Sequence, residues 1–290
     1  MNYILHILIM MSIYAVITMS ANMLTGLTNL ISMAYAAFYG IGAYITALCV
    51  VVLHWSVIPS LLLILVVNSL LALLLALPSL RLKGDYFILA TLGFQMIVYT
   101  VLYNWTKVTR GPFGISGISN PVIIGSITLN SILSFFIFGV LLCLILGVMF
   151  YFLIHSPFGR VLKAIRDDEI ALISLGRNVN YYKTTAFVIS SAFIGVAGYL
   201  YATYISYIDP TSFTIDESIF ILSALLIGGT GNIKGPIVGA VFVVILPEIL
   251  RFVGLPDSIA APLRQIIYGA VLIWVMSNRK QGIAGVKTVK

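Results

Sequence analysis

Ser156 to Lys183 reads SPFGRVLKAIRDDEIALISLGRNVNYYK, and these 28 positions hold eight of the 25 charged side chains in a chain of 290 residues. The cations are Arg160, Lys163, Arg166, Arg177 and Lys183, and the anions are Asp167, Asp168 and Glu169. No charged residue lies between Arg110 and Arg160, or from Thr184 to Ile208. A charge at the centre of a spanning helix costs about 2.5–3.5 kcal/mol on the insertion scale. The flanks can therefore lie in lipid and this insert cannot. It reads as a folded, water-facing platform between two membrane segments.

The rest of the composition agrees. The chain is 61% hydrophobic with a mean hydropathy of +1.11, well outside the range of soluble globules. The first charged side chain is Arg81, and the apolar stretch before it holds three crossings of about 20 residues each. The start lacks a basic n-region and runs straight into further apolar spans, so it does not read as a cleavable signal peptide. The net charge of +7 is concentrated in the 156–183 insert and in a basic tail over 279–290. Under the positive-inside rule both face the cytoplasm, and nucleic-acid binding is an unnecessary explanation. Cys49 and Cys143 lie within apolar runs and read as buried hydrophobes.

Apolar runs bounded by turn signals predict crossings near 3–22, 30–53, 58–80, 86–104, 131–155, 184–204, 218–230, 236–253 and 263–278. The expected fold is all-α: a polytopic transmembrane helix bundle of 8–9 spans, one domain over 1–290. The 105–130 and 204–217 loops read external, the second because it holds three acids and no Lys or Arg. Segment 22–44 is polar and rich in small residues, and a broken helix is expected there, as is tolerated where backbone lines a protein cavity. If that segment does not cross, eight spans remain and the N-terminus moves inside.

No Gly-Lys dipeptide occurs, so there is no P-loop, and the chain carries no nucleotide-binding motif of its own. His6, His54 and His155 are far apart, which argues against a metal site, and no cofactor is implied. Ionisable residues are scarce within the spans, whereas self-powered carriers usually place them there. Energy is expected to come from another subunit.

Within the insert, Ser156-Pro157 is a helix start, a hydroxyl cap followed by proline at the first helical position. Asp167 or Asp168 can cap a second short helix, and Gly176 suits the left-handed residue after it. Two short amphipathic helices could lie on lipid headgroups, but mixed charge with a central acid triplet fits docking to a protein better. The run Gly228-Gly229-Thr230-Gly231-Asn232 reads as a tight turn between helices in preference to a phosphate cradle, because no strand precedes it. Gly40, Gly42, Gly195 and Gly198 suggest close helix packing, and Asn22, Asn29, Asn68 and Gln95 are interhelical hydrogen-bond glue or pathway lining.

Glu169-Ile170-Ala171 with Gly176 five residues on resembles the coupling loop of ATP-binding-cassette importer permeases. The wider run from Phe158-Gly159-Arg160 to Tyr182-Lys183 is similar to the LivM-type branch of the branched-chain amino-acid permease family. Further blocks agree in order: Ala36 to Tyr44, Leu80 to Phe87, Ala90 to Phe94, Asn104-Trp105, Arg110 to Ser116, Ile227 to Pro236 and Leu246-Pro247-Glu248. The chain departs from the family pattern at Tyr35, where histidine is frequent, and at Met96 and Tyr99, where glutamate and arginine are common. Its Asn232-Ile233-Lys234 turn also replaces a more apolar, glycine-rich one.

The resemblance implies a permease subunit, not an enzyme, in the cell (inner) membrane. It implies a second homologous permease, two cytoplasmic ATP-binding-cassette ATPases and an external solute-binding protein as partners. The solute would be a hydrophobic amino acid or a related small neutral molecule. Coupling to the ATPases is expected from Arg160, Asp168, Glu169, Ala171 and Gly176. A passage of little fixed charge is expected to involve Ser32, Tyr35, Thr91 and Gln95. The competing classes are a channel or secondary carrier for a small neutral solute, and a non-transporting membrane subunit of a larger enzyme complex.

Overall fold

The computed structural model describes residues 2–82, 84–118, 131–252 and a set of positions between 263 and 284. In chain order the helices are α1 (Asn2–Thr28), α2 (Tyr35–Val51), α3 (Val57–Ser79), α4 (Asp85–Asn104), α5 (Thr106–Thr109), α6 (Ile132–His155), α7 (Pro157–Asp167), α8 (Glu169–Ser174), α9 (Val179–Ile205), α10 (Ile215–Gly228) and α11 (Lys234–Phe252). Two short strands, β1 (Ile115–Ser116) and β2 (Tyr207–Ile208), pair antiparallel. The expected all-α membrane bundle is the observed architecture. Five helices, α1, α3, α4, α6 and α9, are long and apolar enough to cross a membrane, and α2 is a shorter apolar helix of 17 residues. The described residues of the span expected at 263–278, among them 269–271 and 273–275, are helical.

α9 is the axis of the bundle. Its apolar window is 72% buried, against 22% for α4 and α6, whose outward Leu89, Ile97, Leu144 and Phe152 remain exposed as a lipid-facing helix requires. The glycines explain how α2 reaches it. A Cβ on Gly42 would sit 2.2 Å from the Gly195 carbonyl oxygen, and one on Gly198 would sit 2.3 Å from that of Tyr39. The two backbones are in direct contact, with no side chain between them. Asn68 of α3 then donates to the Phe38 carbonyl at 3.1 Å and that of Ser191 at 3.4 Å, tying three helices at one height.

Two ends of the molecule follow from the contacts. At one, β1 and β2 join the loops around 115 and 207, His6 meets the Tyr204 hydroxyl at 2.7 Å, and Tyr3 bonds Glu248. At the other lie α7, α8, the last turn of α1 and the turn between α10 and α11. Residues 283 and 284 also reach this second end. Their amides donate to the Ile227 and Gly228 carbonyls at 2.9 Å, satisfying acceptors that α10 leaves free at its terminus.

α1 runs on to Thr28, past the end expected at 22. Its late polar residues all find acceptors: Asn22 at Asn232, Thr25 at Leu30 and Thr28 at Leu24. Asn29 then takes a left-handed φ of 59° and stops the helix, and 29–34 is non-helical. α9 starts at Val179, earlier than expected, because Asn178 caps it and Lys183 finds an anionic partner.

Candidate functional site

The platform is built from local chemistry. The Ser156 hydroxyl accepts the Gly159 amide at 3.2 Å and Pro157 opens α7. Asp168 separates the two helices and accepts the amides of Ile170 and Ala171 at 2.9 and 3.0 Å, so it is the residue of the acid triplet that caps α8. α8 closes with two reversed bonds, Arg177 to the Leu172 carbonyl at 3.2 Å and Gly176 to that of Ile173 at 2.9 Å, with Gly176 at φ 76°. This is the Schellman arrangement, which requires a left-handed residue at that position.

The platform is fastened at two points that local pattern does not reveal. Lys183 of α9 is buried and its ammonium meets Glu169 at 2.7 Å. Arg166 of α7 donates to the Gly26 carbonyl of α1 at 3.3 Å. With its ends capped and its base fastened, α8 presents Ile170, Ile173 and Leu175, which are 77%, 56% and 78% exposed. Ala171, next to Ile170, is exposed as well, and so is Arg160 in the first turn of α7. An exposed apolar row with a charged border is the composition of a docking surface.

Ser32, Tyr35, Thr91 and Gln95 are all buried, and each holds the break between α1 and α2 or its surroundings. Free amides at a helix start within a bundle need partners. Thr91 accepts the Met33 amide at 3.0 Å, Ser32 that of Ala34 at 3.2 Å, and Ser218 of α10 that of Ala36 at 2.9 Å. Tyr35 meets the Thr25 hydroxyl at 2.5 Å, and Gln95 donates to the Phe213 carbonyl at 2.8 Å. Ser32, Tyr35 and Thr91 thus converge on the break between α1 and α2, while Gln95 holds the segment that leads into α10.

A cavity of about 720 Å³ lies between the first half of α1, α10 and α11. Its polar wall includes His6, Tyr14, Thr214, Asp216, Glu217 and Glu248; its apolar wall includes Met10, Phe220, Val243 and Val244. Glu217 is half-buried and accepts from Tyr14 at 2.9 Å. Residues 204–217 read as one external loop in sequence, whereas the structure folds Asp216 and Glu217 into the first turn of α10, with Glu217 level with the middle of α1. Among the described residues, none of Ser32, Tyr35, Thr91 and Gln95 lines this cavity, and no cluster of potential metal ligands occurs.

A multi-pass membrane bundle with a capped platform at one end and a polar cavity nearer the other is the architecture of a transport subunit. The chain belongs to the family described as "Branched-chain amino acid transport system / permease component", whose profile matches residues 3–276. It is 35% identical to the "High-affinity branched-chain amino acid transport system permease protein LivM" of Salmonella typhimurium, over 94% of this chain and 68% of that protein. The protein of the same description from Escherichia coli K12 is also 35% identical, over 93% of this chain and 67% of the relative. A "Probable branched-chain amino acid transport permease protein LivM" of Methanocaldococcus jannaschii is 28% identical over 73% of this chain and 64% of its own length. These relatives are transport permease subunits. No solved structure matches the chain.

Proposed function

We propose that this chain is the permease subunit of an ATP-binding-cassette importer of the inner membrane, with eight or nine crossings, passing branched-chain or similar hydrophobic amino acids. It pairs with a second, similar permease, two cytoplasmic ATPases and an external solute-binding protein. The observation that carries the reading is α8. A six-residue helix capped at both ends, which with the residue after it exposes Ile170, Ile173 and Leu175 at the aqueous face of a membrane bundle, is a surface built for a partner. Arg160, Asp168, Glu169, Ala171 and Gly176 serve it, as surface or as the framework that orients the surface. On this reading the platform end is cytoplasmic and the strand end external.

The cavity supplies the solute chamber. Ser32, Tyr35 and Thr91 serve the passage by holding its broken helix, and Gln95 by holding the segment that leads into α10. The acid-bearing wall departs from the expected passage of little fixed charge and suits the ammonium of a free amino acid, while the apolar wall suits an aliphatic side chain. The test is co-purification followed by vesicle uptake. The wild-type chain, expressed with its three kinds of partner, retains the ATPase and takes up leucine only with ATP. Ile170→Asp, which introduces a charge into the exposed row, releases the ATPase. Full ATPase retention by that variant removes α8 as the docking surface.

One observation favours a second reading, a secondary carrier: Glu217 beside Tyr14 at half the height of α1 is an ionisable group inside the bundle. Leucine uptake driven by an ion gradient in vesicles without ATP would decide for it.

A further inference from the structure

Arg166 stands outside the docking surface. Its side chain is 16% exposed, and it reaches away from α8 into the body of the bundle. Its Nη1 donates to the Gly26 carbonyl, across 140 residues of sequence, and its Nε meets Asp167 at 3.3 Å. The guanidinium also lies on Gly231, where a Cβ would stand 2.6 Å from Nη1. Gly231 has a φ of 88°, so this is a glycine both by conformation and by contact.

Gly231 belongs to the turn between α10 and α11, and that turn is held to α1. Asn22 accepts the Gly231 amide at 3.0 Å and donates to the Asn232 carbonyl at 2.7 Å. Thr18 bonds the Pro236 carbonyl at 2.9 Å. Gly26 allows the closest approach, since a Cβ there would meet the Gly231 nitrogen at 2.9 Å. The same α10–α11 hairpin, further from the platform, carries Glu217, Phe220, Val243 and Glu248 on the cavity wall. Between the cavity and the platform the last turns of α1 and this turn are therefore packed together, and one side chain from the platform is wedged against them.

We propose that Arg166 is the pin through which the platform opens and closes the inner end of the passage. When the ATPases displace α7, the guanidinium is withdrawn from Gly26 and Gly231, and the turn is free to separate from α1. The inference rests on the importer reading and adds a positioning residue to it. A planar guanidinium fits the role, because its Nη1 reaches the Gly26 carbonyl and the space over Gly231 while its Nε holds Asp167. A lysine ammonium offers only a point charge.

The test compares wild type, Arg166→Gln and Arg166→Lys in complete complexes reconstituted with leucine and its binding protein. Three quantities are read: ATP hydrolysis, leucine taken up per ATP, and release of preloaded leucine without nucleotide. Arg166→Gln is expected to keep its ATPases and its basal hydrolysis. Its uptake per ATP should fall by about fivefold or more, the lower bound of ordinary coupling between sites, and nucleotide-free release should rise. Arg166→Lys should recover part of both. Release is the decisive reading, because a residue that only supports folding would not open a leak in an assembled complex. Equal uptake per ATP and equal release in Arg166→Gln and wild type overturns the pin. So does failure of both variants to assemble, which makes Arg166 a folding residue. A wild-type complex that neither retains the ATPases nor takes up leucine overturns the importer reading itself, a result visible before any variant is compared.

Discussion

Replacing Glu169 with glutamine should loosen the platform more than removing its partner does. In the native pair the Lys183 side chain is 10% exposed and that of Glu169 is 44% exposed. Glu169→Gln therefore leaves a nearly buried ammonium without its counter-charge. Lys183→Met leaves a carboxylate that water already reaches, and it keeps an unbranched apolar stem in the space the lysine filled. Truncating one partner of a fully buried pair costs about 3–5 kcal/mol and an exposed pair contributes about 0.2–1 kcal/mol. The half-exposed acid discounts the first figure, so about 2 kcal/mol is expected for Glu169→Gln and about 0.5 kcal/mol for Lys183→Met. Hydrogen exchange of 169–183 in lipid nanodiscs reads local opening directly. At 1.4 kcal/mol per decade, the first variant should exchange about thirtyfold faster and the second no more than about threefold. The double variant should fall below Glu169→Gln alone, because the stranded charge is gone. Equal exchange in the two single variants would refute the argument from asymmetric burial.

Other outcomes follow from the same geometry. A Cβ on Gly176 meets nothing within 4 Å, so Gly176→Val should act through backbone strain alone, of about 1–2 kcal/mol. Gly176→Asn, which tolerates the left-handed region, should retain ATPase association in a pull-down where the valine variant weakens it; equal binding by both removes the conformational argument. Gly42→Leu must push α2 off α9, and the yield of folded protein from membranes should collapse; normal yield and melting would show that the backbones are not in contact. Tyr35→Phe loses the bond to Thr25 but keeps its packing, so leucine uptake should persist with a stability loss near 1 kcal/mol. Abolished uptake in a stable variant would give the hydroxyl a direct role. Single cysteines at Asn178 and Thr211 should label from opposite faces of the membrane, and those at Thr211 and Gly117 from the same face. Labelling of Asn178 and Thr211 from one side would sink α9 as a crossing.

The features legible in the sequence were those whose cause is local. Ser156-Pro157, Asp168 and Gly176 occupy the cap positions that their side chains and φ preferences favour, and no distant residue is needed to explain them. Segment 22–44 was readable as a break because its polar residues would be unsatisfied in lipid. The partners were not readable. Arg166 and Lys183 look like solvated charges in the insert, and only the fold brings Gly26 and Glu169 to them. Thr91 and Ser32 carry the hydroxyls expected of a pathway, yet their bonds go to free amides at the start of α2, an assignment that requires the path of the backbone. Glu217 reads as loop in the sequence because α10 is short and begins within the bundle, where hydropathy averages over too few residues to mark its start.

The bare backbone contact between α2 and α9 has a mechanical consequence. Helices separated by side chains can slide, because rotamers absorb the motion. Where Gly42 lies on Gly195 and Gly198 on Tyr39, there is nothing to absorb it, and the two helices behave as one rod. That rod begins at Val179, directly beyond the platform, and runs 27 residues to the strand end, about 40 Å at 1.5 Å per residue. A tilt of about 10° imposed at its base displaces the far tip by about 7 Å, taking the rod at that helical length. A small rotation at the platform would thus arrive enlarged at β2 and its neighbouring loop.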